Sequence, residues 1–112
     1  MTQLERPSRT EGCTIGIKTG CGMLYVTYSQ QGDYKEVFLR LGKCGACALS
    51  FLDGVGRLIT FALNAGTSLE TIIHALSGLQ CPQPTYNNFN SKTLSCLDGV
   101  AQVLQAVLEE QE

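Results

Sequence analysis

The stretch Leu41-Gly42-Lys43-Cys44-Gly45-Ala46-Cys47 stands between a strand-like run and the longest apolar run of the chain, and it constrains the fold more than any other. A sheet has to end there and a helix begin, because two glycines open backbone angles closed to other residues just ahead of a helical apolar pattern. The turn also gathers what an anion needs: uncovered amide N–H groups, the positive end of a helix dipole, and the Lys43 ammonium. Gly42, Lys43 and Gly45 are therefore candidate phosphate-binding residues, with Arg57, about three turns into the helix, as a second cation. The alternative is a solvated lysine beside glycines that merely turn the chain.

Upstream of the turn, Thr14-Ile15-Gly16-Ile17-Lys18 alternates with a period of two, and Thr19-Gly20-Cys21-Gly22 reverses the chain into Met23-Leu24-Tyr25-Val26-Thr27-Tyr28. Gln31-Gly32-Asp33 reverses it again, leaving Val37, Leu39 and Leu41 on one face and Glu36, Phe38 and Arg40 on the other. Downstream, Ala48, Leu52, Val55, Ile59 and Ala62 recur at helical spacing until Gly66. Gly54 and Gly56, inside that helix, are expected to permit close packing or mark a bend. Ser68 caps a second helix that Gly78 stops, and Ser95 with Asp98 resembles a capping box opening a third. The fold class is α+β: a three-stranded antiparallel sheet from residues 12 to 41, covered on one face by helices near 46–65, 68–77 and 96–110. Residues 1–11 read as a flexible N-terminal lead, 12–112 as one domain, and 82–94 as a long Asn-rich loop whose Tyr86 and Phe89 are candidate stacking partners for a base.

With 112 residues there is room for one core and no separate catalytic lobe. A net charge of -2 argues against bulk electrostatic capture of nucleic acid, leaving discrete partners. No window reaches the roughly 18 apolar residues of a membrane span, and the polar start carries no export signal, so a cytoplasmic location and no membrane partner are expected. In that setting the six cysteines point to metal ligation or buried thiols rather than disulfides. Cys21, Cys47, Cys81 and Cys96 each stand at the edge of an element and can converge, while Cys44 and Cys47 form a CGAC pair open to a redox or a zinc reading. The single histidine, His74, lies amid Ile72, Ile73 and Leu76, where a packing or surface role outweighs catalysis, and no Ser, His, Asp arrangement is visible.

These residues together resemble the TSCPD domain, found at the C-terminus of cobalamin-dependent (class II) ribonucleotide reductases and as small stand-alone proteins. The likeness runs through Arg6-Pro7, Lys18-Thr19, Cys21-Gly22, Glu36-Val37-Phe38, Gly42-Lys43, Cys47, Arg57-Leu58-Ile59, Cys81-Pro82, and Ser95-Cys96 with Asp98. It implies that Cys21, Cys47, Cys81 and Cys96 hold a structural zinc, with Cys13 and Cys44 extra. Leu97 stands where the family motif has proline. Nothing resembles the reductase barrel, so the resemblance implies a non-enzymatic zinc module that binds nucleotide or nucleic acid and serves a separate reductase. Two further readings stand beside it: a stand-alone, even viral, protein that sequesters a signalling nucleotide in the host cytoplasm, and a thiol-redox protein. Self-association into a homo-oligomer is expected through the sheet's second face, which carries Tyr25 or Tyr28 and Phe38.

Overall fold

The structure is a computed structural model that describes residues 5–42, 45–89 and 91–111, with the side chains of Ala46 and Cys47 outside that description. Lys43 and Cys44 of the glycine-rich turn therefore lie outside the described residues. Strands β1 (Glu11–Thr19), β2 (Gly22–Gln31) and β3 (Tyr34–Leu41) form an antiparallel sheet in the order β1-β2-β3. Helices α1 (Ala46–Asn64), α2 (Leu69–Leu76) and α3 (Cys96–Gln111) follow, as the periodicities predict. The segment between α2 and α3 is not all loop: β4 (Thr85–Tyr86) and β5 (Lys92–Thr93) pair antiparallel within it.

Alternation along the strands sends Ile17, Leu24, Val26, Val37 and Leu39 to one face, where they are buried with Val100, Val103, Leu104 and Val107 of α3. Each such side chain contributes about 1.5–3 kcal/mol on leaving water, which makes this layer the main source of stability. Tyr28 belongs to that buried face, whereas Tyr25 and Phe38 stand exposed on the other. Gly22 (φ 128°) follows the tip of the first hairpin and Gly32 (φ 59°) forms the second, in the left-handed region where a Cβ is strained.

A three-stranded sheet leaves two free edges, and this chain covers both with side-chain amides and hydroxyls. On β3, Lys35 N–H donates to Asn64 Oδ1 (2.9 Å) and Asn64 Nδ2 donates to Lys35 O (2.8 Å). One turn earlier on α1, Thr60 Oγ1 accepts from Val37 N–H (3.0 Å) and donates to Val37 O (3.3 Å). On β1, Asn88 accepts from Lys18 N–H (3.0 Å) and donates to Gly16 O (3.1 Å). These groups stand in for a missing neighbour strand and blunt edges that would otherwise template pairing with another chain.

The N-terminal lead, expected to be flexible, reaches across the exposed face of the sheet. Arg6 donates two hydrogen bonds to the buried Glu36 carboxylate, each 2.9 Å, and Thr10, Ser29 and Tyr34 add theirs. Burial pushes the Glu36 carboxyl up, but the hydrogen bonds from Arg6, Ser29 and Thr10 outweigh it and hold the pKa below its ordinary 4.5. A carboxyl lowered by folding contributes stability that is fully present above its unfolded value and is lost as pH falls through the folded one. Thermal melts should therefore weaken as pH drops below about 4.5, and Glu36→Gln should flatten that slope. Parallel pH profiles for parent and variant would show that Glu36 is not the group responsible.

Candidate functional site

Three of the cysteines meet at one end of the sheet, and local chemistry puts them there. Thr19, buried at the end of β1, donates from Oγ1 to Gly22 O (2.7 Å) and accepts from Cys21 N–H (3.2 Å), which fixes Cys21 at the hairpin tip. Gly20 presses against the backbone of Gln83, an approach with no room for a Cβ, so the tip is held beside the segment that carries Cys81. Cys81 N–H donates to Leu94 O (2.9 Å), which draws that segment to the start of α3.

The junction of α2 and α3 is organised by Ser95 and Asp98. Ser95 Oγ accepts from Asp98 N–H (3.1 Å), as a capping box requires, and donates to Leu79 O (2.6 Å). The Asp98 carboxylate goes elsewhere: it accepts from Leu94 N–H (2.9 Å), from Gly78 N–H (2.9 Å) and from Gln102 Nε2 (3.0 Å). Ser95 and Asp98 thereby clamp the exit of α2, just ahead of Cys81, to the entry of α3, where Cys96 follows Ser95.

The Cys96 thiol is half-buried and 3.7 Å from Thr19 Oγ1, with Cys21 and Cys81 close enough to interact with it electrostatically. Burial pushes the Cys96 thiol pKa up, Thr19 opposes the shift, and the neighbouring cysteines reinforce it. Cys96 is thus a protonated thiol at neutral pH, although it opens a helix. Cys21 is the exposed member of the pair. The thiols border an apolar hollow of about 460 Å³ walled by Leu41, Phe51 and Leu97.

The four-cysteine zinc site is not borne out. Among the described residues no group of three or more His, Cys, Asp or Glu side chains is placed to hold a metal ion. The sulfurs spend their contacts differently: Cys81 Sγ accepts from Gln83 N–H (3.4 Å), while Cys96 Sγ lies 3.7 Å from Thr19 Oγ1. Zinc as cofactor, metal binding by Cys21, Cys47, Cys81 and Cys96, and the zinc-module function built on them are corrected accordingly. The Cys47 side chain and all of Cys44 lie outside the described residues, so the CGAC pair does too. Cys13 is free and exposed on β1, at the flank of the Arg6–Glu36 pair.

The candidate phosphate and base contacts are spread over the molecule. Gly42 N–H donates to Met23 O (3.1 Å) and so is committed to the sheet. Gly45 is the N-cap of α1, with no side chain capping the first turn. Arg57 lies twelve residues further along the helix, about 18 Å at 1.5 Å per residue, in a hollow of about 360 Å³ with Arg6, Glu36, Phe38 and Phe61. Tyr86 is exposed on β4, and Phe89, its N–H held by Asn87 Oδ1 (2.6 Å), lines a shallow groove beside α2 and α3. Arg57 and Phe89 thus face different hollows, and the structure does not bring them together. No helix among the described residues is long and apolar enough to cross a membrane.

Compared with known protein families, the chain matches the TSCPD domain over residues 2–108. No curated protein and no solved structure matches it.

Proposed function

We infer that this chain, which belongs to the TSCPD domain family, works as a non-enzymatic thiol-redox module in which Cys21 and Cys96 pass between a dithiol and a disulfide. The observation that carries the reading is the closeness of these two thiols, one exposed and one half-buried, at one end of the sheet. Their roles follow from that asymmetry. The exposed Cys21, once deprotonated, attacks a disulfide of a partner protein, forming a mixed disulfide and releasing one partner thiolate. Cys96 then gives up its proton and attacks the Cys21 sulfur, so that the second partner thiolate leaves and the Cys21–Cys96 bond forms. Two thiols are oxidised and one disulfide is reduced. The raised pKa of Cys96 makes it the slower, resolving thiol rather than the first nucleophile.

Joining the hairpin tip to the start of α3 closes a loop of about 75 residues, which by the chain-entropy relation stabilises the oxidised form by roughly 4 kcal/mol. Oxidation would thus be felt as rigidity at one end of the sheet, a signal a partner can read without catalysis by this chain. The test is to equilibrate the protein with mixtures of reduced and oxidised glutathione, alkylate, and map the products by mass spectrometry. Cys21 and Cys96 should lose reactivity together, the oxidised form should melt higher, and Cys21→Ser should abolish both effects. If both thiols stay alkylatable throughout, or Cys21 pairs with Cys81 instead, the proposal fails.

A further inference from the structure

The outward side of α1 is unusually apolar for a solvent-facing helix: Phe51 is 62% exposed, Leu58 70% and Phe61 56%. They do not scatter. Phe51, Gly54, Leu58 and Phe61 follow one another at spacings of three, four and three, the stripe that lets one helix lie along another. The space over Gly54 is open, with nothing beyond the helix's own neighbouring backbone within 4 Å of where a Cβ would stand. The stripe is also its own complement. Turned end for end about Gly56, Phe51 falls opposite Phe61, and Leu58 falls opposite the open position at Gly54. Asp53 and Arg57 stand together on one flank, and neither forms an ion pair within the described residues. The same rotation brings Asp53 of one copy within about 3 Å, along the axis, of Arg57 of the other, twice over.

We propose that two copies of this chain pair through the outward stripe of α1, antiparallel about a two-fold axis level with Gly56 along the helix, with Leu58 of each copy seated over Gly54 of the other. This surface differs from the exposed face of the sheet. There Tyr25 and Phe38 share space with Arg40, a Thr14–Thr27 hydroxyl contact (2.7 Å) and the crossing Arg6–Glu36 pair, so no continuous apolar stripe runs across it. A single helix pair of three turns buries less than a standard interface, so the dimer is weak, with a dissociation constant on the order of tens of micromolar.

Sedimentation velocity in reducing buffer, from roughly 5 to 500 µM, tests this over the range that dissociation constant spans. The parent should shift from monomer to dimer. Leu58→Asp should remain monomeric with an unchanged circular dichroism spectrum, the side chain being exposed. Asp53→Arg alone and Arg57→Asp alone should each raise the dissociation constant about tenfold by opposing like charges, and the double swap should restore it. A parent that stays monomeric throughout overturns the proposal. So does a dimer that survives Leu58→Asp, which would place the contact elsewhere, or a double swap that fails to recover.

Discussion

Asp98→Ala is expected to remove about 3–5 kcal/mol of folding stability, because the substitution strips the acceptor from two backbone N–H groups at once. Asp98 is 6% exposed, and its carboxylate serves Gly78 and Leu94 on two different segments and Gln102 on its own helix. Alanine is too short to reach either amide. Each donor left partly buried without a partner costs about 1–3 kcal/mol, and the favourable placement of a negative charge in the first turn of α3 is lost as well. Asn at the same site keeps one acceptor oxygen, so Asp98→Asn should fall between parent and Ala. Urea titration reads the difference as a lower midpoint at constant slope. The clamp also fixes the segments that carry Cys81 and Cys96, so alkylation of both should speed up in Asp98→Ala. A loss under about 1 kcal/mol would mean that water replaces the carboxylate and that the clamp is not structural.

Sequence periodicity was enough to find every long element, since the strands alternate cleanly and each helix carries its own apolar stripe. Ser68, Gly66, Gly78 and Ser95 mark boundaries by local backbone chemistry, which depends on few residues and so can be read without the fold. The covering of the sheet edges leaves a subtler signal. Gly56, Thr60 and Asn64 recur every fourth residue along one side of α1, too small or too polar for the apolar stripe, and that is the side laid against β3. Asn88 gave less warning, being one polar residue in an Asn-rich loop whose partner strand lies some seventy residues away. Arg6 and Glu36 likewise pair across 30 residues, a distance over which no local pattern operates.

The cysteines divide the same way. Of the four cysteines that stand at the ends of elements, Cys21, Cys81 and Cys96 share one hollow, while the Cys47 side chain lies outside the described residues. Whether three sulfurs aim at one point or at separate neighbours depends on turn geometry at the scale of an ångström. Thr19 and Gln83 set that geometry through contacts that residue spacing does not encode.

The other large effect is expected at Gly56, where α1 meets the edge of β3. A Cβ there would lie 3.2 Å from Val37 O, a backbone atom, and 3.7 Å from both Leu39 N and Leu39 Cγ. Alanine needs a yield of only a few tenths of an ångström and gains up to about 1 kcal/mol of helix propensity, so Gly56→Ala should be close to neutral. Leucine has no such route. Its side chain has to pass through the strand edge, so the helix lifts, and the bonds from Thr60 to Val37 and from Asn64 to Lys35 break together. Overpacking of this kind costs about 1–3 kcal/mol before the lost contacts of Leu52, Ile59 and Leu63 are counted, so a total near 3 kcal/mol is expected. Gly54, two residues away, is the control: its surroundings are open, and Gly54→Ala should stabilise the monomer by up to about 1 kcal/mol. Freed of Asn64 and Thr60, β3 also presents unpaired backbone groups, so Gly56→Leu should scatter light at concentrations where the parent stays clear. Equal stability of the Ala and Leu variants at Gly56 would show that α1 does not rest on the strand edge.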